Sequence, residues 1–216
     1  MSNDDNRVLI DTDFLNHIME SKSTYEEGLS VFKTIFEELG VVPCTHRWVA
    51  SNEMISSHLR KLVSDGHVKI IEWTDIIHSK GEEKLYESNF CGLYERKEHK
   101  TLELNNCPIT EYRSAGSSLG EIHLSLAAKE LGIPLICSDD RGTKKLARMM
   151  SDDSFTLKVH TLGEVLQKTS KNPDTSISYN ECKKMLTYLK ARNKQRYTEE
   201  IDKIHNNYLT NSSRCQ

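Results

Sequence analysis

The stretch "IPLICSDDRGTKKLA", Ile133 to Ala147, carries an apolar run straight into two adjacent aspartates and on into a basic segment. A short apolar run bounded by a polar turn reads as a strand buried on both faces. Asp139 and Asp140 then stand at its carboxyl end, where an aspartate has two uses. It caps the helix that follows, or it belongs to a site on the rim of a sheet. The positions of the other carboxylates decide which.

Working outward, the same alternation recurs along the chain. Strands are expected at 7–11 ("RVLID"), 41–46 ("VVPCTH"), 67–73 ("HVKIIEW"), 133–138 and 155–161 ("FTLKVHT"). Between them lie helical patterns. "YEEGLSVFKTIFEELG" sets Leu29, Phe32, Ile35, Phe36 and Leu39 at helical spacing before a glycine stop. One helix is expected over 48–66, one over 121–132, one in "RGTKKLARMM" and one in "LGEVLQKT". Within 79–119, "EEKLYESNFCGLYERKEHK" is helical in pattern and "LNNCPITEYRSAGSSLG" is turn-rich. Strands alternating with helices predict an α/β fold, a three-layer α/β/α sandwich around a parallel sheet. Two polar helices, at 179–193 and 197–209, follow as an appendage, so the chain divides into a body of 1–170 and an extension of 171–216.

With 216 residues, 37% of them hydrophobic, the chain is long enough for a substantial core. No apolar run approaches the roughly 20 residues that span a bilayer, and the start "MSNDDNR" is polar and acidic, unlike a signal peptide. Six scattered cysteines without a C-x-x-C pair speak against zinc clusters and disulfide frameworks and for a reducing, cytoplasmic setting. The net charge of −3 conceals an asymmetry. From Lys171 onward nine Lys or Arg face five Asp or Glu, a local +4, which leaves −7 for the body.

Acids follow strands or open helices on one predicted rim: Asp11 and Asp13 in "VLIDTDF", Glu53 in "WVASNEM" early in its helix, Glu121 in "SSLGEIH", and Asp139 and Asp140. Apart from Asp11, each alone is explained by helix capping or surface position. Together they would repel one another unless a cation neutralised them. Hard oxygen donors of this type suit Mg²⁺ or Mn²⁺, ions able to activate water at a phosphodiester.

The set resembles the PIN-domain ribonucleases over about residues 7–168. "LGEIHLSLAAKELGIPLICSDDRGTKKLA" is similar to that family's acid-bearing helix, apolar strand, D-D turn and following helix. "VVPCTHRWVASNEM" is similar to the strand, proline and helix of its second acid, and "TLGEVLQKT" to the segment after its last strand. The resemblance implies strand order 3-2-1-4-5, metal-dependent RNA cleavage, and catalytic acids at Asp11, Glu53, Glu121 and Asp140. The metal ligands it implies are drawn from Asp11, Glu121 and Asp140, with Asp139 and Asp13 as partners or alternatives. Ser138 matches a small hydroxyl residue before the last acid, whereas Asp13 departs from the smaller polar residues usual there. Toxins restrained by an antitoxin, phage-defence effectors and homodimers occur among such proteins.

Two other readings stand beside it. "DTDFL" offers the D-x-D pair of a haloacid-dehalogenase-like phosphatase, with Thr74 after a strand and "SDD" for Mg²⁺, although Leu15 stands where that family has Thr or Val. A catalytically silent PIN-like adaptor for RNA or protein is the third. Arg141, Lys144, Lys145 and Arg148, and in the tail Lys190, Arg192, Lys194 and Arg196, are candidates for phosphate contacts or for solvated helix faces. His123 is expected to face away from Glu121. No glycine-rich nucleotide motif is present.

Overall fold

The computed structural model describes residues 6–113, 118–188 and 194–214, with the backbone alone at 194–197 and 214. Five short strands are wholly apolar or nearly so at their centres, which is what a sheet covered on both faces requires. They are β1 (Arg7–Ile10), β2 (Val42–His46), β3 (Lys69–Ile71), β4 (Leu135–Cys137) and β5 (Lys158–His160). All pair in parallel, in the order β3-β2-β1-β4-β5. The expected fold class and strand order are thus present.

The helices form two layers. One holds α1 (Thr12–Met19), α2 (Tyr25–Leu39), α4 (Ser57–Ser64), α8 (Leu162–Thr169), α9 (Tyr179–Tyr188) and α10 (Lys194–Arg214). The other holds α3 (Arg47–Asn52), α5 (Lys80–Glu98), α6 (Leu119–Glu130) and α7 (Arg141–Met150). Local chemistry sets the ends. Thr24 caps α2, which stops at Gly40 with φ +64°, and Thr161 with Glu164 forms a capping box on α8. Between them, Val8, Leu9, Ile10, Phe14, Ile35, Ile122, Leu126 and Ile136 fill the core. Ile177, Met185, Leu186 and Ile204 of the C-terminal segment are buried in the same cluster, so this segment packs against the body through α1 and α8.

The helix expected over 48–66 is two. The amides of Glu53 and Met54 both bond to the Val49 carbonyl, the Ile55 amide bonds to the Glu53 carbonyl, and the chain turns. Ser56 then accepts from the Leu59 amide and begins α4 afresh. A serine able to cap a new helix competes with continuation of the old one. Glu53 therefore ends a helix instead of lying early in one. The strand expected over 67–73 is also shorter, because Trp73–Asp75 winds into a 3₁₀ turn.

The register decides where the carboxyl ends fall. Ile10 pairs with Cys137, and the next amide along, that of Asp11, donates to the Cys137 carbonyl at 3.0 Å. Asp11 and Ser138 thus leave neighbouring central strands side by side.

Candidate active site

Asp11 is a helix cap that also lines the candidate cleft. One carboxylate oxygen accepts from the Thr12 amide at 2.8 Å, and the other accepts from the Ser138 hydroxyl at 2.8 Å. Ser138 also stands 3.1 Å from the Thr143 hydroxyl and accepts from the Asp140 amide at 3.1 Å. A buried hydroxyl therefore ties the last acidic turn to the first acid. Only 6% of Asp11 is exposed, and burial, opposed by the Ser138 bond and reinforced by Asp13 and Asp140, pushes its carboxyl up to about 6.

Glu53 reaches the same place from the end of α3. Its carboxylate accepts from the Thr12 hydroxyl at 3.3 Å and from the Gly120 amide, and it fills the space that a Cβ on Gly120 would occupy. Glycine at the first turn of α6 is thus what admits this carboxylate to the helix backbone. Burial, then the charge of Asp11, pushes Glu53 up to about 7.

Glu121, one residue further on, is brought against Asp140 and the ammonium of Lys97. Burial dominates, the Asp140 contact adds to it, and the carboxyl stands at about 8 although Lys97 opposes the rise. Asp140 caps α7, accepting from the Gly142 amide at 2.6 Å. This one residue caps a helix and also stands on the sheet's rim among the other acids.

These acids line one open cleft of about 320 Å³, together with Thr12, Asp13, Asn16 and Ile55. Asp13 stands exposed at its lip. Asp139 is turned elsewhere, with one oxygen accepting from the Leu162 amide at 3.2 Å and the other 3.3 Å from His17 Nδ1. It joins β4 to the start of α8 and does not line the cleft. A side-chain reversal between adjacent residues at a strand end produces this divergence.

Among the basic candidates, Arg141 and Arg148 are exposed. Lys144 lies 3.7 Å from Glu164. Lys145 donates to the carbonyl of Lys97 at 3.0 Å and approaches that of Arg96 at 3.5 Å, holding the last turn of α5. Lys190 and Arg192 lie outside the described residues, and for Lys194 and Arg196 only the α10 backbone is described. Thr74 sits in the 3₁₀ turn after β3, away from the cleft lining, and Leu15 is fully buried. His123 does avoid Glu121. It is buried beside Tyr86, whose hydroxyl is 3.0 Å from Nδ1, and stacks on His46 with ring centroids 5.1 Å apart.

Sequence reasoning missed Thr12, Gly120 and Lys97. The first two are adjacent to named acids, where a hydroxyl or a missing side chain is a usable signal. Lys97 carries none, because its helix reaches the site from a segment with no motif.

The carboxylates of the cleft, with Asp11 and Glu121 buried and Glu53 and Glu121 raised by neighbouring acids, are oxygen donors of the type that hard cations take. Among the described residues no three His, Cys, Asp or Glu side chains are already assembled at coordinating geometry. Asp11 is engaged by Ser138 and Thr12, and Glu121 by Lys97. Among the described residues no helix is long and apolar enough to cross a membrane. No family model, curated protein or solved structure matches the chain.

Proposed function

We propose that this chain is a metal-dependent endoribonuclease of PIN-like type that cleaves RNA at the Asp11, Glu53, Glu121 and Asp140 cleft. The observation that carries this reading is the meeting of these four carboxylates, with Asp13, beyond the carboxyl ends of the two central strands. That is where ligands bind in open parallel sheets. Asp11, Glu121 and Asp140 would hold Mg²⁺ or Mn²⁺, with Asp13 at the lip. The bound ion would lower the pKa of a coordinated water and offset charge on the phosphate.

The protein's own groups divide the remaining work. Ser138 and the Thr12 amide hold Asp11 in one rotamer. Glu53, withdrawn from water beside Asp11, is suited to take a proton from an attacking water. Asp140 and Glu121 share the far wall. Exposed Arg141, next to Asp140 at the start of α7, is placed to meet the phosphate backbone. A cytoplasmic RNA substrate fits this reading, as do a protein partner such as an antitoxin and a role in toxicity or defence. No observation favours the phosphatase reading, whose Thr74 stands off the cleft.

The test is cleavage of mixed single-stranded and structured RNAs by the purified chain with Mn²⁺ or Mg²⁺, beside a phosphomonoester. Asp11→Asn keeps the shape and loses the charge, and the expected loss is roughly 10²-fold or more, the scale for a key electrostatic group. Undiminished metal-dependent cleavage by a folded Asp11→Asn variant sinks the assignment. Loss of a phosphatase activity instead transfers it to the rival reading.

A further inference from the structure

The ammonium of Lys97 stands against Glu121, a carboxylate of the cleft wall. Its side chain is 9% exposed and pairs with Glu121, itself 7% exposed, and stands 3.8 Å from Glu98. The placement is built from three sides. Lys145 of α7 bonds the carbonyl of Lys97 itself, Ser118 donates to Glu98, and Gly142 leaves the room that the pair needs. A Cβ on Gly142 would lie 2.6 Å from the Glu121 carboxylate and 2.7 Å from the Lys97 ammonium. A long lysine chain loses considerable rotamer freedom when ordered in this way. An ordinary surface ion pair has no such enclosure.

A buried carboxylate needs a counter-charge, and two cations cannot share one small anion without strong mutual repulsion. We propose that Lys97 is a tethered counterion for Glu121 that a divalent metal must displace, so that α5 sets how readily the cleft loads. This rests on the metal-site reading above and adds a gate to it. In the metal-free chain the ammonium opposes the rise that burial and Asp140 impose on Glu121 and favours its ionised form. A divalent ion held by Glu121 would release the ammonium, which stays tethered to α5 beside the cleft wall. A phosphate oxygen of the substrate then replaces the carboxylate as its partner. Substrate and metal thereby favour each other, because a phosphate stabilises the released position of the lysine.

Two measurements test this, neither of them catalytic. The first is calorimetric titration with MnCl₂ of the full chain, Lys97→Met and Lys97→Arg. Methionine keeps an unbranched stem and removes the charge, so Mn²⁺ should bind about tenfold more tightly, a modest fraction of the repulsion between close cations in a screened site. Lys97→Arg should bind as the parent does. The second needs no variant: amine acetylation read by mass spectrometry. Lys97 should be protected in the metal-free chain and label severalfold faster with Mn²⁺ present, while Lys145 labels equally in both. Equal Mn²⁺ affinity in the parent and Lys97→Met, or acetylation of Lys97 indifferent to Mn²⁺, overturns the gate and leaves the metal site standing. Absence of Mn²⁺ binding to every form overturns the metal site itself, and the gate with it.

Discussion

Glu53 is a residue that the folded chain tolerates at a cost. Its carboxyl rises from the ordinary 4.5 to about 7 because burial and Asp11 disfavour its charge. A carboxyl raised on folding binds its proton more tightly in the folded chain, so the penalty is absent below about pH 4.5 and complete above about 7. Glu53→Gln should therefore raise the melting temperature of the metal-free chain by several degrees at pH 8, on the basis of about 1–3 kcal/mol. The gain should vanish near pH 4, and saturating Mn²⁺ should erase or reverse it. A melting curve at each pH checks this, and no difference at pH 8 would mean that Glu53 is solvated. His46 and His123 have the opposite sign. Burial pushes His46 down to about 3 and His123 well below its ordinary 6.5, with the neighbouring histidine adding to the effect on His123. Their neutral forms support the fold fully above pH 6.5, and that support is lost as pH falls below it. For His46 the expected slope is about 1.4 kcal/mol per pH unit between pH 6 and 4, and His123 adds to it in the same direction. His123→Phe should make this acid limb shallower in urea titrations across that range, and an unchanged slope would locate the acid sensitivity elsewhere.

At the scale of elements, the site is a meeting of helix and strand ends. Asp11 and Asp140 leave β1 and β4 as caps of α1 and α7, Glu53 closes α3, and Glu121 opens α6. Where α3 meets α6, Glu53 lies against Gly120. Gly120→Ala should leave α6 intact, since alanine is favoured over glycine in helices by about 1 kcal/mol. It should nevertheless expel Glu53, and a misplacement of about 1 Å in a reacting constellation costs on the order of 10²-fold. The expected outcome is an unchanged or slightly altered melting temperature with RNA cleavage greatly reduced. Full cleavage by Gly120→Ala would remove Glu53 from the machinery. The split of 48–66 into α3 and α4 belongs to the same story, because only a helix that stops at Asn52 lets residue 53 turn toward α6.

For the whole molecule, the charge is arranged unevenly, −7 over residues 1–170 and +4 beyond. An acidic body needs cations to hold a polyanion. Neutralising Lys190, Arg192, Lys194 and Arg196 together should weaken binding to single-stranded RNA at low salt. For every phosphate that goes without its cation, the logarithmic salt slope should flatten by about 0.7. Mn²⁺ affinity should stay the same. Filter binding across a salt series measures both, and an identical slope in the quadruple variant would assign the tail to packing or to a protein partner. The described part of that tail does pack, through Cys182, Met185, Leu186 and Ile204.

What the sequence determined by itself was the periodic part of this protein. Alternating apolar runs and helical stripes reach as far as a few neighbours along the chain, and they were enough for a parallel α/β sheet and for the acids at strand and helix ends. The PIN-like resemblance added the strand order, which the register of β1 against β2 and β4 bears out. Tertiary structure alone decided the rest. Whether Asp139 or Asp140 enters the cleft depends on which side of one turn each carboxylate leaves, and both have cap-like signatures in sequence. Lys97 is 24 residues from Glu121, and nothing local distinguishes it from the other lysines of its helix. Its meaning comes from the packing of α5 against α6 and α7, because a counterion is defined by distance in space and by the water excluded around it.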